Sequence, residues 1–465
     1  MRQPLQLAFG TNRARDGIEG AARCVNCYAE KIGPEAATEW ALYPINGWDI
    51  WGTVTSLTGG VRATLALDST LIAVIGRMIV QFDSGGGATV LGGFAADGPV
   101  TMARNRRDQP QVAICCNGVV AIVSGGAVTM HSDTDLKPAT SVDCLDGYGL
   151  FFGADGRISA SDLDNFLLVD GLSFAKAEAN PDGGVRVKVR NREAVLYGRL
   201  TTEFWSDNGG DPFPLGRVTS VDVGCLAAMS VCDVDQTHAF VAHDFTVRMW
   251  SGYTAQIIST PEVARLIETD PARADIIGMS WVENGHAFYA LTGSTWTKVY
   301  DTRTGLWHDR ESYRYGRWRA STAVAFASKT IFGDLDTGTL YVSTASDYDE
   351  AGRPIVMTMQ AAPAHAWPNR LRWNALHCYA LPGQGLGATE VDPVIMLDWS
   401  DDGGHTWSVQ RMVSVGQQGQ KRTRVITRRL GVAPATGRTF RMSMSAAVAR
   451  GFVNLAGDVD LIKVS

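Results

Sequence analysis

The chain has 465 residues, of which 45% are hydrophobic and 19% charged, and its formal net charge is −6. This length exceeds a single ordinary core, so we expect two or three domains or one large repetitive architecture. The composition excludes an intrinsically disordered chain. The acidic balance disfavours a protein that binds DNA tightly through charge.

The first ten residues, MRQPLQLAFG, contain too short an apolar run for a secretory signal. The longest apolar runs, such as LIAVI and VVAIV, have the length of strands and fall short of the roughly 20 residues of a membrane helix. The sequence therefore predicts synthesis and assembly in a reducing cytoplasm, without membrane insertion by this chain.

Eight cysteines are present, and in a long cytoplasmic chain we expect free, buried thiols rather than a disulfide framework. Cys24 and Cys27 form the pair CVNC, a spacing that zinc and redox sites also use. A structural zinc site needs two further ligands, and no second pair follows at finger or ribbon spacing. No set of nucleophile, base and orienting residue stands out either. We therefore predict no metal, no cofactor and no catalytic residues.

Short apolar strands separated by glycine and aspartate turns dominate the middle of the chain. Residues 61–92 predict four such strands, with turns at Asp68–Ser69, Gly76–Arg77 and Ser84–Gly87. Similar units of roughly 30 to 45 residues follow, and such a period is typical of a β-propeller. We predict six or seven divergent blades over residues 52–350, preceded by an N-terminal arm, residues 1–51, that enters the propeller.

One helix is predicted near residues 261–268, where Pro261 suits the first turn and Ser259 or Thr260 supplies a cap. Glu262 complements the helix dipole. The apolar face of this helix is expected to pack across a seam between two blades.

Three of the 13 tryptophans, Trp40, Trp48 and Trp51, precede the predicted blades. Tryptophan serves both as a large core residue and as an anchor at protein interfaces. We favour core positions for these three, with docking to another protein as the alternative.

The character of the chain changes at about residue 353. Residues 353–465 carry 13 Lys plus Arg and 7 Asp plus Glu, a net charge of +6, against −12 for the remainder. Strand-like runs in this region predict a C-terminal antiparallel β-sandwich. Five basic residues lie on or beside one predicted strand: Lys421, Arg422, Arg424, Arg428 and Arg429. Either they form a solvated edge that charge protects from aggregation, or they contact an acidic partner such as the propeller of a neighbouring subunit.

The segment DWSDDGGHTWS, residues 398–408, places Ser400, Asp402, Gly404 and Trp407 at the spacing of the Asp-box of sialidases and other propeller glycosidases. That motif is structural, because its aspartate bonds backbone amides and its glycine permits positive φ. A sialidase also carries several such boxes, an arginine cluster and a tyrosine with a glutamate partner. The nearest echo here, WSDNGGDPF at 205–213, has an asparagine in place of the aspartate. We predict a structural turn, and we keep a carbohydrate-active or receptor-binding propeller as the alternative.

A series of motifs runs in order along nearly the whole chain. They begin with CVNCYAEKIGPEAATEWALYPINGWDIWG and continue through TTEFWSDNGGDPFPL, ISTPEVARLI, TKVYDTRTGLWHDRESYRYGRW and FGDLDTGTLYVST to LDWSDDGGHTWS, RTRVITRRLG and RTFRMSMS. In this order they resemble the packaged-DNA stabilisation proteins of short-tailed phages, the hub or nozzle subunits of their tails. Asn46 stands where that family usually has a proline.

The resemblance implies an all-β chain, a propeller joined to a sandwich, with a structural and not an enzymatic role. It also implies a homo-oligomeric ring, expected to contain six copies, below the portal and the adaptor or head-to-tail connector of a virion. Tail spikes or fibres and a needle or plug are the further expected partners, and phage DNA is a partner in transit only. The expected location is the virion tail, after assembly in the host cytoplasm.

Overall fold

The computed structural model describes residues 2–5, 7–33, 38–384 and 392–463. Residues 34–37 of the N-terminal motif lie outside the described residues. Nearly all regular structure is β-strand, and the predicted fold class is confirmed: a propeller is followed by a C-terminal sandwich.

The N-terminal segment forms six strands before the first blade. They are β1 (Arg2–Leu5), β2 (Asn12–Arg13), β3 (Ala21–Val25), β4 (Cys27–Lys31), β5 (Trp40–Pro44) and β6 (Gly47–Thr53). The first five belong to the sheets of the sandwich, where β3 also borders the sixth blade, and β6 is part of the seventh blade.

Seven four-stranded antiparallel units form the blades among the described residues. Five are separate sheets, the sixth is part of a ten-stranded sheet and the seventh is part of a six-stranded sheet. Blade one contains β7 (Val61–Ala66), β8 (Thr70–Ile75), β9 (Met78–Asp83) and β10 (Ala88–Gly93). Blade two contains β11 (Thr101–Arg104), β12 (Val112–Cys116), β13 (Val119–Ser124) and β14 (Ala127–Met130). Blade three contains β15 (Ser141–Leu145), β16 (Tyr148–Phe152), β17 (Arg157–Ala160) and β18 (Phe174–Lys176). Blade four contains β19 (Gly184–Arg190), β20 (Glu193–Gly198), β21 (Thr202–Asp207) and β22 (Leu215–Val221). Blade five contains β23 (Cys232–Val234), β24 (Thr237–Val241), β25 (Val247–Ser251) and β26 (Thr254–Ile257). Blade six contains β27 (Ile277–Glu283), β28 (His286–Thr292), β29 (Thr297–Asp301) and β30 (Leu306–Asp309). Blade seven contains β31 (Ala320–Phe326), β32 (Lys329–Asp334), β33 (Thr339–Thr344) and β6.

Blade one shows why a continuous apolar run forms a strand here. Residues 71–75 of β8 are all buried, because this second strand packs against neighbouring blades on both faces. Gly76 follows at φ 53°, a left-handed conformation that glycine adopts without strain, and it reverses the chain into β9. The three turns predicted between residues 61 and 92 separate the four strands of this blade.

The N-terminal strand β6 closes the ring of blades by pairing antiparallel with β33. The boundary predicted between residues 51 and 52 runs through this strand. Trp48 is buried in blade seven, with its ring 5.2 Å from Phe332 and 5.1 Å from Tyr341. Trp51 is buried where blade seven meets blade one, whereas Trp40 packs partly exposed on the sandwich core.

The helix α1 (Pro261–Thr269) lies between blades five and six. The Thr260 hydroxyl accepts a hydrogen bond from the Val263 amide at 3.4 Å, so Thr260 is the cap. Val263 and Ile267 pack with Val241 of blade five and Tyr289 of blade six. The helix thus fills the seam between these blades.

The sandwich contains strands from both ends of the chain. After the short pair β34 (Asp349–Glu350) and β35 (Arg353–Pro354), its C-terminal strands are β36 (Met357–Gln360), β37 (Arg370–Ala380), β38 (Val394–Ser400), β39 (Arg411–Ser414), β40 (Val425–Ala433), β41 (Thr439–Met444) and β42 (Phe452–Ile462). One sheet has the order β4-β5-β42-β37-β40, with β1 also on β42. The other runs β3-β36-β41-β38-β39, with β2 on β3. The described N-terminal strands therefore complete the sandwich, whose core includes Leu7, Ala8, Cys24, Cys27, Ala29 and Leu42.

The second of these sheets continues into the propeller. Strand β3 pairs with β36 on one side and meets β30 of blade six in parallel on the other, at Val25 and Asp309. Blade six and half of the sandwich are therefore one ten-stranded sheet. Backbone hydrogen bonds of a shared sheet resist hinging, so this joint holds the two domains in one orientation.

Candidate functional site at the junction of propeller and sandwich

A chain of alternating charges lies where the N-terminal strands, helix α1 and blade six meet. We call it the seam cluster, and its members are Arg13, Arg23, Glu262, Lys298 and Asp309. Lys298 lies at its centre, only 2% exposed, with its Nζ 2.9 Å from Glu262 Oε1 and 2.6 Å from Asp309 Oδ1. The two carboxylates offset part of the hydration that the buried ammonium has lost.

The two arginines of the seam cluster come from the sandwich side. Arg13 Nε donates to Glu262 Oε1 at 2.8 Å, and the Arg13 backbone amide donates to Oε2 at 2.6 Å. Arg23 Nε donates to Asp309 Oδ2 at 2.6 Å, and Arg23 also pairs with Glu311. Each carboxylate is therefore bound by one cation from the propeller and one from the sandwich.

The two carboxylates remain ionised in the seam cluster. Burial opposes ionisation of Asp309, but the charges of Lys298 and Arg23 outweigh it and lower the pKa of Asp309. Burial likewise opposes ionisation of Glu262, and Lys298 and Arg13 lower its pKa below the ordinary value. The cluster therefore keeps both carboxylates charged at neutral pH and ties both domains to one buried lysine.

Sequence reasoning missed the seam cluster. We assigned Glu262 to the helix dipole, whereas its side chain is buried and bound by two cations. The five residues belong to separate elements, β2, β3, α1, β29 and β30, and no local spacing connects them. The available signal is Lys298, a charged residue within the strand TKVYD, whose five residues are all buried.

Replacing the central lysine tests the seam cluster. Lys298→Met should lower the free energy of unfolding by about 3 kcal/mol, because it leaves two buried carboxylates with half their compensation. Chemical denaturation followed by circular dichroism measures this. The matched control is Lys31→Met, which breaks the exposed 3.0 Å pair with Glu39 and should cost at most about 1 kcal/mol. Equal effects of the two variants would contradict the assigned role of Lys298.

The turn after β38 has the hydrogen bonds of a compact aspartate turn. Asp402 accepts from the Thr406 amide at 2.9 Å and 3.0 Å, from the Thr406 hydroxyl at 2.5 Å and from the Ser400 hydroxyl at 2.7 Å. The Ser400 oxygen in turn accepts from the Gly404 amide at 2.7 Å. Trp407 folds back, and its Nε1 donates to the Gly404 carbonyl at 3.1 Å. All of these hydrogen bonds join groups within the turn, between residues 400 and 407.

This turn packs against the N-terminal segment. A Cβ at Gly17 would lie 1.8 Å from the Gly403 carbonyl oxygen, so a glycine is required for the approach. Arg441 lies 3.8 Å over the Trp407 ring. Beside this contact is a polar cleft of about 430 Å³, which Arg13, Glu262 and Trp407 help to line. The Asp-box turn thus lies on the sandwich, next to the seam cluster and outside the blades.

Removing Asp402 should destabilise the sandwich and should abolish no enzymatic activity. Asp402→Ala leaves three amide and hydroxyl donors unpaired, so its melting temperature should fall below that of the wild type. Hydrogen bonds from Thr406 and Ser400 lower the pKa of Asp402. The difference from wild type is therefore expected at neutral pH and should shrink as the pH falls below about 4.

Thermal unfolding of Asp402→Ala across a pH series measures both effects. Asp402→Asn keeps one acceptor oxygen, so its melting temperature should lie between those of the wild type and Asp402→Ala. Glycosidase activity in the wild type that disappears in folded Asp402→Ala would contradict a structural turn.

The five basic residues of the predicted strand lie along one edge of the sandwich. Lys421, Arg422 and Arg424 precede β40, and they line a surface cleft of about 440 Å³ together with exposed Tyr379. Arg428 and Arg429 are exposed on β40 itself, the edge strand of its sheet. Within the described residues, none of the five forms an ion pair.

All eight cysteines are free. Cys24 and Cys27 are buried in the sandwich core, and Cys24 Sγ donates to the Ala8 carbonyl at 2.9 Å. A hydrogen bond with Cys27 and burial raise the pKa of Cys24, which keeps it a thiol. Among the described residues, no group of three or more His, Cys, Asp or Glu is placed to hold a metal ion. No helix among them is long and apolar enough to cross a bilayer.

A seven-bladed propeller whose sixth blade continues into a β-sandwich defines a two-domain β protein. The family model described as "Bacteriophage P22 Gp10, beta-propeller" matches residues 36–346, and "Bacteriophage P22 Gp10, beta-sandwich" matches residues 359–459. The chain therefore belongs to this family of bacteriophage packaged-DNA stabilisation proteins, and it is a structural protein of a phage tail. The predicted resemblance is confirmed.

Solved structures match this chain at low similarity. The WD40 propeller domain of Doa1 is 11% identical, with a TM-score of 0.43 over 64% of this chain and 97% of that one. The designed protein Ika8 is 14% identical, with a TM-score of 0.39 over 73% and 99%. PorZ of Porphyromonas gingivalis is 13% identical, with a TM-score of 0.39 over 78% of this chain and 46% of PorZ. A comparison with curated proteins gave no match.

Proposed function

We propose that this chain forms the hub or nozzle ring of a short phage tail. In this proposal six copies assemble below the portal and the adaptor, hold the packaged DNA in the capsid and provide the channel for its ejection. Tail spikes or fibres and a needle or plug dock on the ring. Membership of the packaged-DNA stabilisation family, with matches to both domains, is the observation that carries the proposal.

The joint between the domains supports a role under mechanical load. A subunit that closes a pressurised capsid must transmit force between its neighbours without hinging. The shared ten-stranded sheet and the seam cluster provide backbone and charge contacts across the domain boundary. Interfaces between domains of one chain are commonly looser and allow relative motion.

Assembly of the ring should depend on salt. Residues 353–465 have a net charge of +6 and the remainder −12, so we expect ring contacts to place the sandwich of one copy against the propeller of another. Exposed charges are screened over about 8 Å at physiological ionic strength. Light scattering against ionic strength should therefore show weaker assembly at high salt. Assembly that is unchanged up to high salt would assign the contact to apolar packing instead.

Particles that lack this protein should fill and then leak. In phage with the gene deleted, we expect DNA packaging to proceed and the genome to escape afterwards, which nuclease sensitivity of purified particles measures. Failure to package would place the protein with the motor or capsid. Full, infectious particles without it would contradict the tail-hub role.

The isolated protein should bind duplex DNA weakly, because DNA in transit must not be held at each step. We expect a Kd weaker than about 10⁻⁶ M at physiological salt, the range of nonspecific binding. Fluorescence anisotropy with a labelled duplex measures it. Tight binding that persists at high salt would mean that the channel grips DNA.

The alternative function is a carbohydrate-active or receptor-binding propeller. Such a protein would present acids and arginines at the mouth of its central channel. The channel here is lined by Arg62, Arg186, Lys188 and Asp233, and Lys188 is already paired with Asp233 at 2.7 Å. Arg62 and Arg186 donate to backbone carbonyls. A glycan-binding array tests this alternative directly.

A further inference from the structure

Two surfaces of this chain have opposite charge and exposed apolar side chains. We call residues 409–429 the sandwich edge and residues 130–178 the blade-three surface. We propose that the sandwich edge of one copy docks on the blade-three surface of the next copy. This inference rests on the proposed ring, and it names the contact that builds it.

The sandwich edge is strongly basic and partly apolar. Residues 409–429 contain six Lys or Arg and no Asp or Glu. Val409 is 87% exposed and Met412 is 70% exposed. Strands β39 and β40 are the edge strands of their sheets, and Arg411 Nη1 joins them by donating to the Arg428 carbonyl at 2.7 Å. Exposed apolar side chains on unpaired edge strands are typical of a contact surface.

The blade-three surface is strongly acidic and also partly apolar. Residues 130–178 contain nine Asp or Glu and three Lys or Arg, so this segment carries a net charge equal to the −6 of the whole chain. Two of its acids, Asp143 and Asp146, are paired with Lys188 and Arg192 of blade four. Leu163, Leu168 and Leu172 are 52% to 67% exposed. They lie on the loop of residues 161–173 between β17 and β18, where blade one has a short turn of residues 84–87. Long loops in compact domains commonly serve binding.

The loop of blade three is held in place while its leucines point outward. Phe166 and Val169 are buried in the core between blades two and three. The Phe166 amide donates to Gln111 Oε1 at 2.7 Å, and the Val169 amide donates to Asp133 Oδ2 at 3.2 Å. A preformed loop loses little entropy on docking, which favours a stable contact.

The two surfaces lie at opposite ends of the molecule. The sandwich joins the propeller at blade six, and in a ring of seven the blades farthest from blade six are blades two and three. Strand β39 is separated from β30 of blade six by β3, β36, β41 and β38, a distance of about 24 Å at the usual strand spacing. Complementary surfaces at opposite ends make a head-to-tail contact. Such a contact builds a ring when the rotation from each copy to the next adds up to a full turn.

Two charge-reversed variants test this contact. The edge variant is Arg422→Glu with Arg424→Glu, and the blade variant is Asp162→Lys with Glu178→Lys. All four side chains are exposed. Each variant alone should weaken ring assembly at least tenfold, measured by mass photometry as a function of protein concentration. An equimolar mixture of the two should restore rings to within about threefold of wild type, because alternating copies bring opposite charges together again.

The control variant is Arg199→Glu with Lys329→Glu, a reversal of two exposed charges outside both surfaces. It should assemble like the wild type, and circular dichroism checks that every variant is folded. Wild-type rings that neither folded variant weakens, or weakened variants that the mixture does not rescue, would overturn the proposed contact while leaving the ring intact. A wild-type chain that forms no ring, even with its adaptor, would overturn the proposed function as well.

Discussion

The structure depends on a sheet shared by two domains. Strand β3 lies between β36 of the sandwich and β30 of blade six, which it meets at the single pair Val25 and Asp309. Backbone hydrogen bonds from Asn26 to Asp309 and from Thr11 to Trp307 also cross the domain boundary. Buried Lys298 strengthens the same domain boundary, because its two carboxylate partners, Glu262 and Asp309, also bind arginines from the sandwich side. Neither domain can rotate without breaking backbone bonds and exposing a lysine together with two carboxylates, which is costly in both cases. The relative placement of every outer surface follows from this joint.

Placement matters because the charge of the chain is unevenly distributed. Six of the 13 basic residues in residues 353–465 lie on the sandwich edge, and half of the acidic excess of the remainder lies in residues 130–178. If the domains moved freely, these charges would attract within one molecule or between molecules in many orientations. A fixed joint restricts them to contacts in one direction, so rigidity of the subunit and specificity of assembly are linked.

Sequence patterns predicted the local units and missed the long-range pairings. The apolar run of β8 and the flanking turns identified blade one because strand and turn signals are local. The Asp-box turn was readable for the same reason, since Asp402 binds groups within four residues. Local patterns could not predict that β6 closes the propeller or that β3, β4 and β5 belong to the sandwich. The strands that pair with them lie hundreds of residues further along the chain. The seam cluster combines five elements, and only the buried lysine of TKVYD gave a local sign of it.

The use of both chain ends has a consequence for biosynthesis. Strands β1 to β6 leave the ribosome before the blades, yet β6 pairs with β33 and β1 pairs with β42, the most C-terminal strand among the described residues. During translation these early strands have unpaired edges while blade after blade is made behind them. The propeller cannot close before β33 is made, and the sandwich cannot close before β42 is made. A chain released before β33 is made therefore has no finished domain and cannot enter a growing tail as a defective subunit.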